Sequence, residues 1–232
     1  MAAMKKNRTQ LMASFFKNHR IPMYLMGEVK NQLARAKSAS EDKAQSSKFL
    51  DMLPHHLAHD LLYEIRLPVV LHYGWFKDIN REFRHAVRHV CYAAIQQHWP
   101  QDGEVVFQHG DACSRMIFVD TPSVLYFRDD HTRYRKDSVD KARRNSVRMK
   151  NAPLRRGDSL CGYAIWVEWT HHGRLMASSG SSLLTLEASD FSRVLRGYRE
   201  AYAVSVIWAR QYIRELMVAD VITDLDRRVR RG

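Results

Sequence analysis

The chain has 232 residues, room for one medium domain or one domain with a helical arm, and its 45% apolar content is enough for a real core, which excludes global disorder. A formal net charge of +12 and a pI near 9.8 point to acidic partners: nucleic acid, anionic lipid or an acidic protein face. Cys91, Cys113 and Cys161 are isolated and form no CxxC pair. No apolar run reaches the roughly 18 residues of a membrane span, so the chain reads as reduced and intracellular, without a disulfide framework, a cysteine-based zinc site, or a signal or transit peptide.

In chain order, a helix is expected over Lys5–Lys17, broken at Asn18-His19-Arg20. Pro22 opens a second helix, with Ile21, Leu25, Val29, Leu33 and Ala36 at helical spacing. Residues 38–48 read as a small polar linker. Leu53, Leu57 and Leu61 mark another helix stripe that Pro68 is expected to end, and Phe83, Val87 and Val90 mark a further short helix. From Cys91 the pattern changes to short β-like runs at 105–107, 116–119 and 124–127, with turns at Gly103 and Gly110-Asp111. Residues 128–156 hold eleven Lys/Arg and four Asp and read as a long basic loop. Strand-like runs resume at 175–177 and 183–186. Ser189 is the expected N-cap of a helix, and a last helix at 199–218 carries Tyr202, Val206, Ala209, Ile213 and Leu216 on one face. The fold class expected is α+β: N-terminal helices, then an antiparallel jelly-roll-like β-roll flanked by helices.

Several stretches carry a resemblance. Residues 99–119, WPQDGEVVFQHGDACSRMIFV, look like the start of a cyclic-nucleotide-binding β-roll; 183–191, LLTLEASDF, are similar to its last strand and the entry to the following helix. GDSLCGYAIWVEWT (157–170) falls where that family places its phosphate-binding cassette. MASFFKNHRIPMYLMGEVKNQLARA and FLDMLPHHLAHDLLYEI, with the short helix around Trp75-Phe76, resemble the C-linker of voltage-gated and cyclic-nucleotide-gated cation channels. The resemblance implies a helical C-linker over residues 1–80, a β-roll over 81–220 with the 128–156 insertion, and a charged tail at 221–232. It implies the cytoplasmic gating and assembly region of a potassium-type channel, assembled with other channel subunits as a homotetramer through the C-linker. The pore is expected N-terminal to Met1, and the region to lie at the cytoplasmic face of a membrane. The implied ligand is cyclic AMP or cyclic GMP; no other cofactor and no catalytic site are expected.

A working cassette holds a cyclic phosphate with backbone N–H groups and one Arg, and a Glu accepts from the ribose 2′-hydroxyl. In the family pattern the Glu falls on Gly162 and the Arg near His171, while Arg174 lies three residues on, in the next strand. Each charge-assisted bond is worth roughly 1.5–3 kcal/mol, so losing both takes a micromolar site toward millimolar. The site is therefore expected to be degenerate, as in ether-à-go-go-type channels. Gly162, Tyr163, Ala164, Ile165, His171 and Arg174 are the residues that would line it. Pro122 stands where the family usually has Gly, so that turn must differ.

Arg143-Arg144-Asn145-Ser146-Val147 fits a basophilic kinase pattern, making Ser146 a phosphorylation candidate. The 128–156 loop is a candidate contact for anionic lipid. His55/His59 and His85/His89 have i,i+4 spacing, but with no third ligand in view they read as surface histidines and no metal is expected. Trp166, Trp169, Tyr202, Trp208 and Tyr212 read as packing residues rather than a platform for bases, and no nucleic acid is expected. A soluble cyclic-nucleotide sensor, such as a kinase regulatory subunit, is the alternative; such subunits carry two β-rolls, and this chain has room for one. A catabolite-activator-type regulator needs a helix-turn-helix after the last long helix, where only about fourteen mostly charged residues follow Val218.

Overall fold

The β-rich half of the chain is one long ribbon folded back on itself. A computed structural model describes residues 50, 52–128, 151–178, 180–219 and 222–226, which belong to a compact unit beginning at Leu50. The strands are β1 (Ile95–His98), β2 (Val105–Phe107), β3 (Ala112–Cys113), β4 (Arg115–Thr121), β5 (Val124–Arg128), β6 (Asn151–Pro153), β7 (Ser159–Leu160), β8 (Trp169–Thr170), β9 (Gly173–Ala177) and β10 (Ser182–Glu187). They pair antiparallel in nested order: β1 with β10, β2 with β9, β3 with β8, β4 with β7 and β5 with β6. Cross-pairing of β10 with β4 and of β5 with β9 wraps the ribbon into sheets ordered β1-β10-β4-β7 and β2-β9-β5-β6. This is the expected jelly-roll-like topology. The basic stretch joins β5 to β6 at the tip of the ribbon.

Strand alternation divides the core. Met116 and Phe118 of β4, with Leu184 and Leu186 of β10, face a helical layer, while Ile117, Val119 and Leu183 face the roll interior with Phe107, Val124, Tyr126 and Leu175. A sheet covered on both faces explains why these strands read as continuous apolar runs. The helical layer comprises α1 (His55–Val70), α2 (Gly74–Glu82), α3 (Arg84–Ala93), α4 (Ala188–Leu195) and α5 (Arg199–Met217). Trp75, Phe76 and Phe191 form edge-to-face pairs at its centre. α5 is tied to α2 by Trp75 Nε1 donating to Ser205 Oγ at 2.9 Å and Trp208 Nε1 to Asp78 Oδ2 at 3.3 Å.

Several local expectations are corrected. Pro68 does not end α1; it and Glu64, whose carbonyl it deprives of a partner, are both exposed residues, so the lost helical bond falls on the solvent side of the helix. The Leu53/Leu57/Leu61 stripe is not the buried face, which is Ala58, Tyr63, Arg66, Val69 and Val70, with Leu57 47% exposed. α4 starts one residue before Ser189, after Glu187. The buried face of α5 is Ala201, Ser205, Ala209 and Tyr212; of the expected face Ala209 belongs to it, Val206, Ile213 and Leu216 are half-buried and Tyr202 is exposed, with Trp75 bonded at Ser205. The ends of the 128–156 segment are structured, in β5, in β6 and in the turn before β7. Strands β1, β6, β7 and β8 are too short or too polar to read from pattern alone. Pro122 sits in a three-residue turn closed by Ser123 N–H to Thr121 O at 2.8 Å, which needs no positive φ. The helices expected within 1–48 and Ser146 lie outside the described residues.

Phe118 is fully buried and meets Tyr73 and Phe76 edge-on. Phe118→Ala is expected to destabilise the chain by about 3–5 kcal/mol in equilibrium denaturation; a loss below about 1 kcal/mol would show that the helical layer does not depend on this face.

Candidate functional site

The cassette stretch, 157–170, forms a loop of successive turns between β7 and β8, with Ala164 N–H bonded to Cys161 O at 2.9 Å and Trp166 N–H to Tyr163 O at 2.9 Å. An aromatic seam clamps it. Tyr73 donates to Gly162 O at 3.1 Å and accepts from Trp166 Nε1 at 3.0 Å. Tyr163 is stacked with Trp169 at 5.0 Å and with Tyr212 of α5 at 4.4 Å.

Gly162, the position of the expected Glu, has no room for a side chain: a Cβ there would lie 2.9 Å from Tyr212 Oη and 2.9 Å from the Tyr73 ring. Ala164 and Ile165 are buried in the two halves of the core. Arg174 stands exposed on β9 between buried Gly173 and Leu175, its guanidinium 5.4 Å from the centre of the Phe127 ring. It is on the outer face of the roll and does not join the loop. Of the six expected residues, Gly162, Tyr163, Ala164 and Ile165 share the loop, His171 lies at its far side, and Arg174 is apart.

His171 enters a buried cluster that sequence reasoning missed. Its ring is stacked on Phe107 at 3.7 Å, and its Nδ1 lies 3.4 Å from Cys161 Sγ and 3.6 Å from Asp224 Oδ1. Cys113 completes the group: the ligating atoms of Cys113, Cys161 and His171 lie within 4.8 Å of one another. Two of the three cysteines that read as isolated, Cys113 and Cys161, are thus brought together, since β3 pairs with β8 and β4 with β7, while Cys91 stays apart in α3. No short-range signal reveals this.

Asp224 comes from the segment after α5. That segment, 222–226, runs antiparallel to β7 through the Leu160–Leu225 bridge, Cys161 N–H to Asp224 O at 2.6 Å and Asp226 N–H to Ser159 O at 3.1 Å. Asp224 is 1% exposed. Its Oδ1 accepts from Trp169 Nε1 at 2.9 Å, and its Oδ2 from Tyr126 Oη at 3.0 Å and His172 N–H at 2.8 Å. Burial alone would raise its pKa, but the bonds from His171 and Trp169 hold it below the usual carboxylate range. For His171, burial works to lower the pKa, and the bonds to Asp224 and Cys113 outweigh it, holding the imidazole up at about 9. A bond with Cys161 pulls the Cys113 thiol down, while burial pushes that of Cys161 up. Cys161, His171 and Asp224 are the residue types of a nucleophile, base and orienting carboxylate, but Cys161 is 0% exposed.

The two spaced histidine pairs are not comparable. His59 lies against the Tyr92 ring, and His89 Nδ1 is 3.1 Å from Tyr198 Oη. Neither pair belongs to a three-ligand cluster among the described residues.

No family model matches the chain, and no curated protein matches it. Among solved structures, the fold is similar to a cyclic nucleotide-binding-like protein from Brucella abortus, at 15% identity over 56% of this chain and 97% of that one, with a TM-score of 0.44. It is also similar to the C-linker/CNBHD of zELK channels, crystallized in the presence of cAMP, at 18% identity over 96% of this chain and 98% of that one, with a TM-score of 0.47. At these identities the chemistry of the site has to be read from this chain's own residues.

Asp224→Ala leaves the Trp169, Tyr126 and His171 donors buried without their acceptor and is expected to cost about 3–5 kcal/mol in chemical denaturation. Arg174→Ala, on the exposed face, is expected to stay within about 0.5 kcal/mol of the parent. Equal effects of the two substitutions would refute this reading of the site.

Proposed function

We propose that this chain is the cytoplasmic gating and assembly region of a voltage-gated or cyclic-nucleotide-gated-type potassium channel, in which the β-roll has lost nucleotide binding and holds its own C-terminal segment instead. One observation carries the reading: residues 222–226 lie antiparallel beside β7 through the single Leu160–Leu225 bridge, with the Asp224 carboxylate against His171. In the motif alignment His171 stands at the Arg that pairs a cyclic phosphate, so an internal anion occupies the place of the ligand's charge. The closed space at Gly162 and the outward position of Arg174 support the same conclusion. The C-linker and pore-tethered tetramer, with residues 1–80 as linker and 81–220 as roll, rest on the motif order in the sequence. So does the cytoplasmic membrane-face location, while the contact of 128–156 with anionic lipid rests on that segment's basic charge and a regulatory phosphate on Ser146 on the Arg143-Arg144-Asn145-Ser146-Val147 pattern.

In such a module the roll transmits force through contacts between helices rather than through ligand occupancy. The ties of α5 to α2, through Trp75–Ser205 and Trp208–Asp78, provide a route by which movement of the last helix reaches the helices before the roll.

Calorimetric titration of the purified chain with cyclic AMP and cyclic GMP tests this. No heat is expected up to millimolar ligand, and Gly162→Glu is expected to lower stability without creating binding, because the added side chain meets Tyr212 and Tyr73. Micromolar binding by the parent chain would overturn the self-occupied reading and favour a soluble or channel-linked cyclic-nucleotide sensor.

A further inference from the structure

The cluster around His171 has a geometry that packing alone does not require. Cys161 holds a left-handed backbone conformation, φ 59°, the only non-glycine residue to do so among the described residues. That conformation is strained for an L-residue, and glycine would avoid the strain. The strained residue puts a thiol, rather than a hydrogen, against His171 and Asp224. A strained non-glycine residue of this kind is a pointer to function when its side chain has a chemical use.

The separations supply that use. Cys161 Sγ to His171 Nδ1 is 3.4 Å, His171 Nδ1 to Asp224 Oδ1 is 3.6 Å, and Cys161 Sγ to Asp224 Oδ1 is 3.8 Å. Tetrahedral zinc, with bonds of about 2.3 Å to sulfur and about 2.0–2.2 Å to nitrogen or oxygen, sets its ligand atoms roughly 3.3–3.8 Å apart. Cys113 Sγ lies within 4.8 Å of both Cys161 Sγ and the His171 ring nitrogen, and the Asp224 carboxylate, which meets Cys161 and His171 but lies outside that distance of Cys113, completes the four once the Cys113 and Asp224 side chains turn toward the common centre. We propose that Cys113, Cys161, His171 and Asp224 form a buried tetrahedral site for a borderline-soft divalent cation of the zinc class.

Ligand type argues the same way. Two thiolates with one imidazole select zinc over magnesium or calcium, which take oxygen ligands. The outer partners that orient metal ligands are also present. Trp169 Nε1 and Tyr126 Oη hold the Asp224 carboxylate, and the Phe107 ring fixes the plane of His171. Metal uptake needs both cysteines as thiolates and His171 as the neutral imidazole, so the protons these groups hold, that of the His171 ring included, pass to solvent, and the ring binds through Nδ1. The four ligands come from β3, from the loop after β7, from the residue after β8 and from the segment after α5. The metal therefore staples the C-terminal segment into the roll. The inference does not rest on the channel reading; it holds or fails on these four side chains.

The test adds Co2+ or Zn2+ to the reduced, metal-free full chain in competition with a chromophoric chelator. One ion per chain is expected, with a thiolate-to-cobalt charge-transfer band and tetrahedral visible absorption for the cobalt form. Cys113→Ser and His171→Gln are each expected to weaken binding by at least about 10–100-fold, the range seen for loss of even an outer partner. His85→Gln, on an exposed helical face, is expected to leave binding unchanged. Zinc is expected to raise the melting temperature and to slow amide exchange at 222–226, since it binds only the folded chain. Absence of uptake by the reduced parent chain overturns the proposal. So does uptake that persists in both site variants, or a cobalt complex without the charge-transfer band. The band is read on the parent protein, so the proposal stays testable even if a variant fails to fold. A Cys113–Cys161 disulfide in the isolated chain, with no metal uptake after reduction, also overturns it.

Discussion

The structure depends on a carboxylate that has to be buried and kept charged. Taking an ionised group out of water costs several kcal/mol even after relaxation, and Asp224 is compensated only where Trp169, Tyr126, His171 and the His172 backbone N–H converge. Those donors lie on β5, β8 and the turn before β9. They are in place only once the ribbon has closed into a roll. The roll therefore creates the site for its own C-terminal segment, and that segment in turn neutralises donors that would otherwise be left unpaired.

This reciprocity accounts for the position of the cassette loop. A cassette open to an external anion needs free N–H groups and a cation facing a cavity. Here the Cys161 N–H is bonded to Asp224 O, the Gly162 carbonyl accepts from Tyr73, and Tyr163 is stacked between Trp169 and Tyr212. The aromatic side chains of α2, the loop and α5 form one continuous seam, so the loop, the last helix and the helices before the roll are mechanically one body.

Much of the scaffold was legible in the sequence because its signals are local. Gly103 and Gly110 mark turns and take positive φ as such turns require. The apolar runs of β4 and β5 are β-branched and aromatic enough to read as strands, those of β9 and β10 show as short leucine-containing apolar runs, and the expected last helix at 199–218 matches the observed Arg199–Met217. Errors fell where tertiary contacts override local preference. Pro68 stays in a helix whose lost bond falls on the solvent side. The buried face of α5 includes Ser205, to which the buried Trp75 bonds, and leaves Tyr202 exposed. Strands of two to four residues, such as β1, β7 and β8, exist only through their partners and carry no periodicity of their own.

By itself the sequence determined the fold class and the order of helices and roll, because each is written in the identity of residues at one place along the chain. Only the tertiary structure decided what surrounds the loop after β7. Cys113, Cys161 and His171 are neighbours because nested antiparallel pairing folds the ribbon back on itself, and Asp224 joins them because the segment after α5 returns to lie beside β7. The space denied to a side chain at Gly162 and the outward face of Arg174 were likewise decided by packing. A site assembled from distant segments leaves no spacing in the sequence, since the distance between its parts is set by strand register and closure rather than by the number of residues between them.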